Sequence, residues 1–241
     1  MTFPENLQLL HTHEETLRLE AVRRIGSLPN MTLHFALTES AMDLFDLYRQ
    51  HPSDDEDVKT MQAIGCRVFN AFASATSLML AGYYQSSAML LRDILESVFL
   101  VSYFSSEPSA IARWRTVPEG KVVEEFKPVT IRMYLDRRDG FKEQKRAAAY
   151  KLLSQLAGHP TALSFAMLRP KGMDIRNGPF LDITALEAVA SEMGKLAVQI
   201  GGAYGQLLPS SYDRAEPAKG HFRDLRQQWL LATGFITENK A

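Results

Sequence analysis

This chain of 241 residues is short of nearly everything that announces a chemistry. Its single cysteine, Cys66, excludes an internal disulfide and fits a reducing compartment. There is no His-Glu-x-x-His, no Cys-x-x-Cys and no Glu-x-x-His. Metal-ligand spacings are therefore missing, and neither metal nor cofactor is expected. His11-Thr12-His13-Glu14 holds ligand-type residues, but side chains two apart on a helix diverge. No Gly-x-Ser-x-Gly elbow exists. Gly201-Gly202-Ala203-Tyr204-Gly205 is rich in glycine, yet it follows a helical run instead of a strand, which removes the dinucleotide reading. Strand-like alternation never persists beyond a few residues, and repeats and low-complexity tracts are absent. The N-terminus has neither the basic start nor the apolar run of a signal peptide, so a cytoplasmic location is expected.

What is present is an ordinary globular composition, 46% hydrophobic and 23% charged, enough to bury a sizeable core. The net charge of −1 carries no global signature of nucleic-acid binding. Its distribution is uneven. Glu39, Asp43, Asp46 and the run Asp54 to Asp57 are acidic. In contrast, Lys127, Arg132, Arg137, Arg138, Lys142, Lys145, Arg146 and Lys151 outnumber Asp136, Asp139 and Glu143. Such a segment is a candidate polyanion surface or acidic-to-basic dimer contact, against the simpler reading of solvated helix faces.

Nearly every segment carries helical period. The spacing predicts helices near 7–25, 33–48 and 54–81, the last opened by a Ser53/Glu56 capping box. Leu78 to Trp114 is apolar almost all round, with a bend at Gly82 and a fresh start at Glu107-Pro108. Further helices are expected over 119–138 with a bend at Pro128, over 142–157 closed by Gly158, over 184–208 from a Thr184/Glu187 box, and over 221–237. Residues 159–183 hold no period and three prolines, which suggests a lid or partner-binding loop. The fold class is all-α. A single domain of six to nine helices spans 1–241, with core 54–208 and flanking helices 5–50 and 221–237.

The residues most in need of explanation are Arg92 and Glu96. They lie four apart in an apolar helix, where unpaired charge is costly. Leu78 to Phe104 is long enough to span a bilayer, but these charges would sit at mid-depth, so the stretch is read as buried in protein with no membrane partner. Asp93 points about 100° away and needs another basic partner. His159, just past Gly158, would stand near the negative end of a helix dipole as a switchable proton donor. Ala190, Gly194 and Ala197 with the glycine run form a small-residue stripe for close helix approach. Candidate catalytic residues are thus Arg92, Glu96 and His159. Candidate ligand-binding residues are Arg137, Arg138, Lys142 and Arg146.

The stretches LMLAGYYQSSAMLLRDILESVFLVSYF and AYKLLSQLAGHP together resemble a group of bacterial all-helical proteins of unassigned function. The matching positions are Gly82, Ala88, Leu90, Arg92, Glu96, Tyr150, Leu153, Ser154 and His159. Some members of that group are similar to the HEPN superfamily of nucleotide- and RNA-associated helical proteins, often linked to toxin and phage-defence systems. The catalytic pattern there is an arginine a few residues before a histidine inside a helix. The one spacing match here, Arg214 to His221, reads as a connector with proline and glycine. Two expectations follow: a non-catalytic interaction or regulatory homodimer, or an RNA- or nucleotide-binding HEPN-like protein that uses the basic segment.

Overall fold

The computed structural model describes residues 3–118, 120–121, 123–142 and 144–236. It is all-α: 74% helical, with nine helices and no strand among the described residues. In chain order they are α1 (Glu5–Ile25), α2 (Met31–Gln50), α3 (Glu56–Leu80), α4 (Tyr84–Ser106), α5 (Ser109–Arg115), α6 (Pro128–Arg138), α7 (Lys145–Leu153), α8 (Ile183–Leu207) and α9 (Ala215–Ala232). One hydrophobic core runs continuously from Ala21 in α1 to Trp229 in α9.

Several boundaries differ from the sequence expectation, and prolines explain most of the differences. The helix expected over 119–138 is a short 3₁₀ turn, Glu124–Phe126, followed by α6 with Pro128 in its first turn. Proline bends a helix interior but suits the first position, where its missing N–H would have no partner. Similarly, α9 starts at Ala215, six residues before the expected His221, because Pro217 occupies the first turn without losing a ladder bond. Glu119, Val122, Glu143 and the end of the expected helix at Thr237 lie outside the described residues. The caps also move. Asp55 accepts from the Asp57 N–H at 2.7 Å, and Asp182 from the Ala185 N–H at 3.0 Å, in place of the Ser53 and Thr184 boxes.

The run 78–114 is broken twice. Gly82 takes φ +91, and a Cβ there would lie 2.5 Å from the Phe180 carbonyl oxygen. Glycine is required on both counts. This corner receives the end of the long segment 159–182. Phe180 is buried edge-on against Tyr84 at 5.6 Å, and the Asp182 N–H donates to the Tyr84 hydroxyl at 3.0 Å. Among the described residues it is α3, not α4, that is long and apolar enough to cross a membrane, with only 39% of its most apolar window buried. Its inner face (Val68, Phe72, Ala75, Met79) is core; its outer face carries Phe69, Ala73 and Thr76.

At the centre, α8 packs on α2, α4 and α9. Tyr204 is fully buried between Phe45 and Tyr48, with ring centroids 4.9 and 5.6 Å away, and donates its hydroxyl to the Met61 carbonyl at 2.8 Å. Further along, Trp229 of α9 donates its indole N–H to Nδ1 of His34 at 2.8 Å in a buried contact. An indole can only donate, so His34 is held neutral with its proton on Nε2. Burial, and secondarily Lys195, pushes the imidazole below its ordinary value of 6.5. The unfolded chain therefore binds the proton more readily, so this contribution to stability is complete above pH 6.5 and falls as pH drops below it. Urea denaturation at pH 7.5 and 5.5 checks this. The wild type should lose more stability at the lower pH than His34→Gln, whose neutral amide oxygen can still accept. Equal losses would contradict a neutral His34. At pH 7.5, His34→Leu should cost about 1–3 kcal/mol through the orphaned indole donor.

Candidate functional site

Arg92 and Glu96 project from one face of α4 and meet as expected, with Nη2 of Arg92 3.0 Å from Oε1 of Glu96. The partners that complete the site come from α7 and the π-helical turn after it, Ser154–Gly158. Arg92 donates from Nε to the Ser154 hydroxyl at 3.0 Å and from Nη2 to the Tyr150 hydroxyl at 2.5 Å. Tyr150 in turn donates to Oε1 of Glu96 at 2.9 Å. The ring of Tyr150 carries the Arg92 guanidinium 4.9 Å from its centroid and that of Arg132 at 4.1 Å. Asp93, on the neighbouring face, is paired with Arg67 at 2.5 Å.

The expectation of a deeply buried pair is corrected. The side chains of Arg92 and Glu96 are 26% and 32% exposed. Helix α4 is not apolar-walled on this side, because the short α7 and its π turn cover it only in part. Gly158 is likewise not a left-handed helix cap. Its backbone is needed because a Cβ there would stand 3.0 Å from Cδ of Arg92. Glycine thus lets the turn close over the arginine stem.

His159 does not join the network. It is exposed and makes no side-chain hydrogen bond among the described residues, so Arg92, Glu96 and His159 do not converge on one pocket. The expected lid is partly present. Phe180 is buried and Met167 packs against the core, but Phe165 is 48% exposed. Glu96 and Asp93 do line a recess of about 190 Å³ with Trp114, Phe126 and Ile131, smaller than the usual small-molecule site.

The basic segment is not a free positive face. Arg138 binds both oxygens of Asp139, at 2.7 and 3.0 Å, and the Ser106 hydroxyl at 2.5 Å. Arg146 bridges Asp136 (2.7 Å) and Asp139 while stacking over Phe141. Arg137 and Lys142 are exposed. Asp136 and Asp139 tie down Arg138 and Arg146 through contacts between the end of α6 and α7, which a charge count along the chain does not reveal.

Two features escaped sequence reasoning. Tyr150 is a matching position of the resemblance, but its bridge to Glu96, 54 positions away, has no local signal. Because α9 begins at Ala215, Lys219, Arg223 and Arg226 share one helix face, and Arg214 caps the helix two turns before His221. Reading 209–220 as a connector hid both. Comparison with family models, with curated proteins and with solved structures found no match to this chain.

The network predicts a graded stability series. Tyr150→Phe keeps the ring beneath both guanidinium groups but removes the bridging hydroxyl, and should cost about 1–2 kcal/mol in chemical denaturation. His159→Ala should stay within about 0.5 kcal/mol. A neutral Tyr150→Phe would show that the bridge does not hold α7 on α4.

Proposed function

We propose that the chain is a non-catalytic helical interaction module that pairs with a second copy of itself through the face made by α1, α2 and α3. The observation that carries this reading is a groove of about 650 Å³ between α2 and α3, beside the end of α1. Ile25, Phe35, Met42 and Phe69 make it apolar, and Glu39 and Asp43 supply its only charges. Neither carboxylate has a hydrogen bond or ion pair among the described residues. Desolvation, and then Glu39, pushes the Asp43 carboxyl above its ordinary value.

The complement stands on the same chain. On its outer side α1 exposes Leu19 and Val22, each 51% accessible, between Arg18 and Arg23. An apolar ridge flanked by arginines, which Glu15 and Glu20 of the same helix already pair at 3.1 and 3.7 Å, fits an apolar groove flanked by carboxylates chiefly through its apolar surface. When both halves lie on one surface, a two-fold pairing satisfies them twice. The outward apolar residues of α3 gain cover by the same contact. The Arg92 network supports the non-catalytic part of the reading: Arg92, Glu96, Tyr150 and Ser154 are spent on one another and the histidine is turned away, although Nε and Nη1 of the neighbouring Arg132 are buried without a hydrogen-bond partner among the described residues.

One observation favours a second reading, the HEPN-like ribonuclease. Arg214 is the cap residue of the helix that carries His221, although the Arg214 guanidinium is held by the Gln50 amide. Cleavage of a single-stranded RNA by the wild type and not by His221→Ala would replace the first reading with this one.

Light scattering at ~50 µM tests the pairing. The wild type should run at twice its 27.1 kDa chain mass. Met42→Arg and Val22→Glu should each shift it to one chain with the helical circular dichroism retained. Reversing the charges together, Glu39→Arg with Arg23→Glu, should restore more dimer than either change alone. A wild type that remains a single chain at this concentration would overturn the proposal.

A further inference from the structure

We propose that the cleft between α4, α8 and α9 binds a small phosphorylated ligand bearing two or more negative charges. The cleft holds about 770 Å³, within the range of small-molecule sites, and shares no lining residue with the Arg92 network or the α2–α3 groove. One wall is the α9 stripe Lys219, Arg223 and Arg226, spaced as successive turns of one face. The end of α6 brings Arg138 to the same cleft.

Four cations therefore face one concavity against a single lining carboxylate, Glu216. Glu216 lies 3.2 Å from Lys219 and 4.0 Å from Arg223, and Arg138 is balanced by Asp139 outside the cleft. Arg226 has no hydrogen bond or ion pair among the described residues. Like charges gathered in a concave, partly apolar wall focus a positive potential that an anion relieves. Guanidinium forks match phosphate oxygens in pairs, which a single carboxylate ligand would leave half used.

The floor is α8 at Gly202. A Cβ built there meets no heavy atom within 4 Å, so this helical glycine is not explained by packing. Its neighbour Gly201 differs, since a Cβ there would strike the Phe222 ring at 2.5 Å. Gly202 keeps the cleft deep and lets a ligand approach the backbone of α8. Hydroxyl and amide groups of Ser102, Gln199 and Gln206 complete the lining as neutral hydrogen-bonding partners.

Titration calorimetry and thermal melting with sodium pyrophosphate and with adenosine diphosphate, each against sodium chloride at matched ionic strength, test the site. Saturable binding with a rising Tm is expected. The double variant Arg223→Gln, Arg226→Gln, altered at exposed positions, should weaken it at least about tenfold. Gly202→Phe should abolish it by filling the floor, with the helical spectrum unchanged. No saturable effect beyond that of chloride would overturn the proposal. So would equal binding by the double variant, or binding to RNA oligomers that tightens with length and is not displaced by pyrophosphate.

Discussion

Helix α8 holds α2 and α9 together because its backbone is bare where those two neighbours press closest. At Gly194 a Cβ would stand 2.8 Å from both Nδ1 of His34 and Nε1 of Trp229, the atoms that form the buried α2–α9 hydrogen bond. At Gly201 it would enter the ring of Phe222 and crowd Ala41. Each glycine costs helix propensity, about 1 kcal/mol relative to alanine, and that loss is offset by interhelical contact no larger residue permits. The seating of α9 on α8 and α2 follows from these two positions. So does the orientation of the cations on α9's other face.

Charge in this protein follows partial burial more than sequence context. Arg92 and Glu96 stand in a largely apolar helix, yet α7 and its π turn supply a hydroxyl from Tyr150, another from Ser154 and an aromatic face, and the pair is left neither stranded nor fully dry. Its stabilising value lies between that of an exposed pair and a buried one. Among the described charges without a side-chain partner, Glu39 and Asp43 line an apolar groove and Arg226 stands on a cationic wall. Those lining groups are where another molecule can add ion pairs that the chain does not already make.

The all-α class was legible because helical period dominates everywhere, and the meeting of Arg92 with Glu96 was legible because four residues is one helical turn. What the pattern hid has two physical origins. Proline was read as a bend at Pro128 and as part of a connector at Pro217, although the first turn of a helix tolerates it; the second reading concealed the start of α9 and with it the alignment of Lys219, Arg223 and Arg226. Contacts between distant segments leave no local trace, so the bridge from Tyr150 and the pairing of Arg138 and Arg146 with Asp139 could not be inferred from charge counts. The glycine run 201–205 was visible as a stripe for close approach, and Gly201 does serve so. Only the structure separates it from Gly202, one residue on and rotated toward open space.

That separation gives the most direct test of the account. Gly201→Ala and Gly202→Ala make the same chemical change at adjacent positions of one helix, and chemical denaturation should move them in opposite directions. Gly201→Ala should lower stability by about 1–2 kcal/mol, since overpacking against Phe222 exceeds the propensity gained. Gly202→Ala should raise it by up to about 1 kcal/mol, since the methyl meets nothing. Shifts of the same sign in both variants would contradict the claim that one glycine seats α9 while the next opens the cleft.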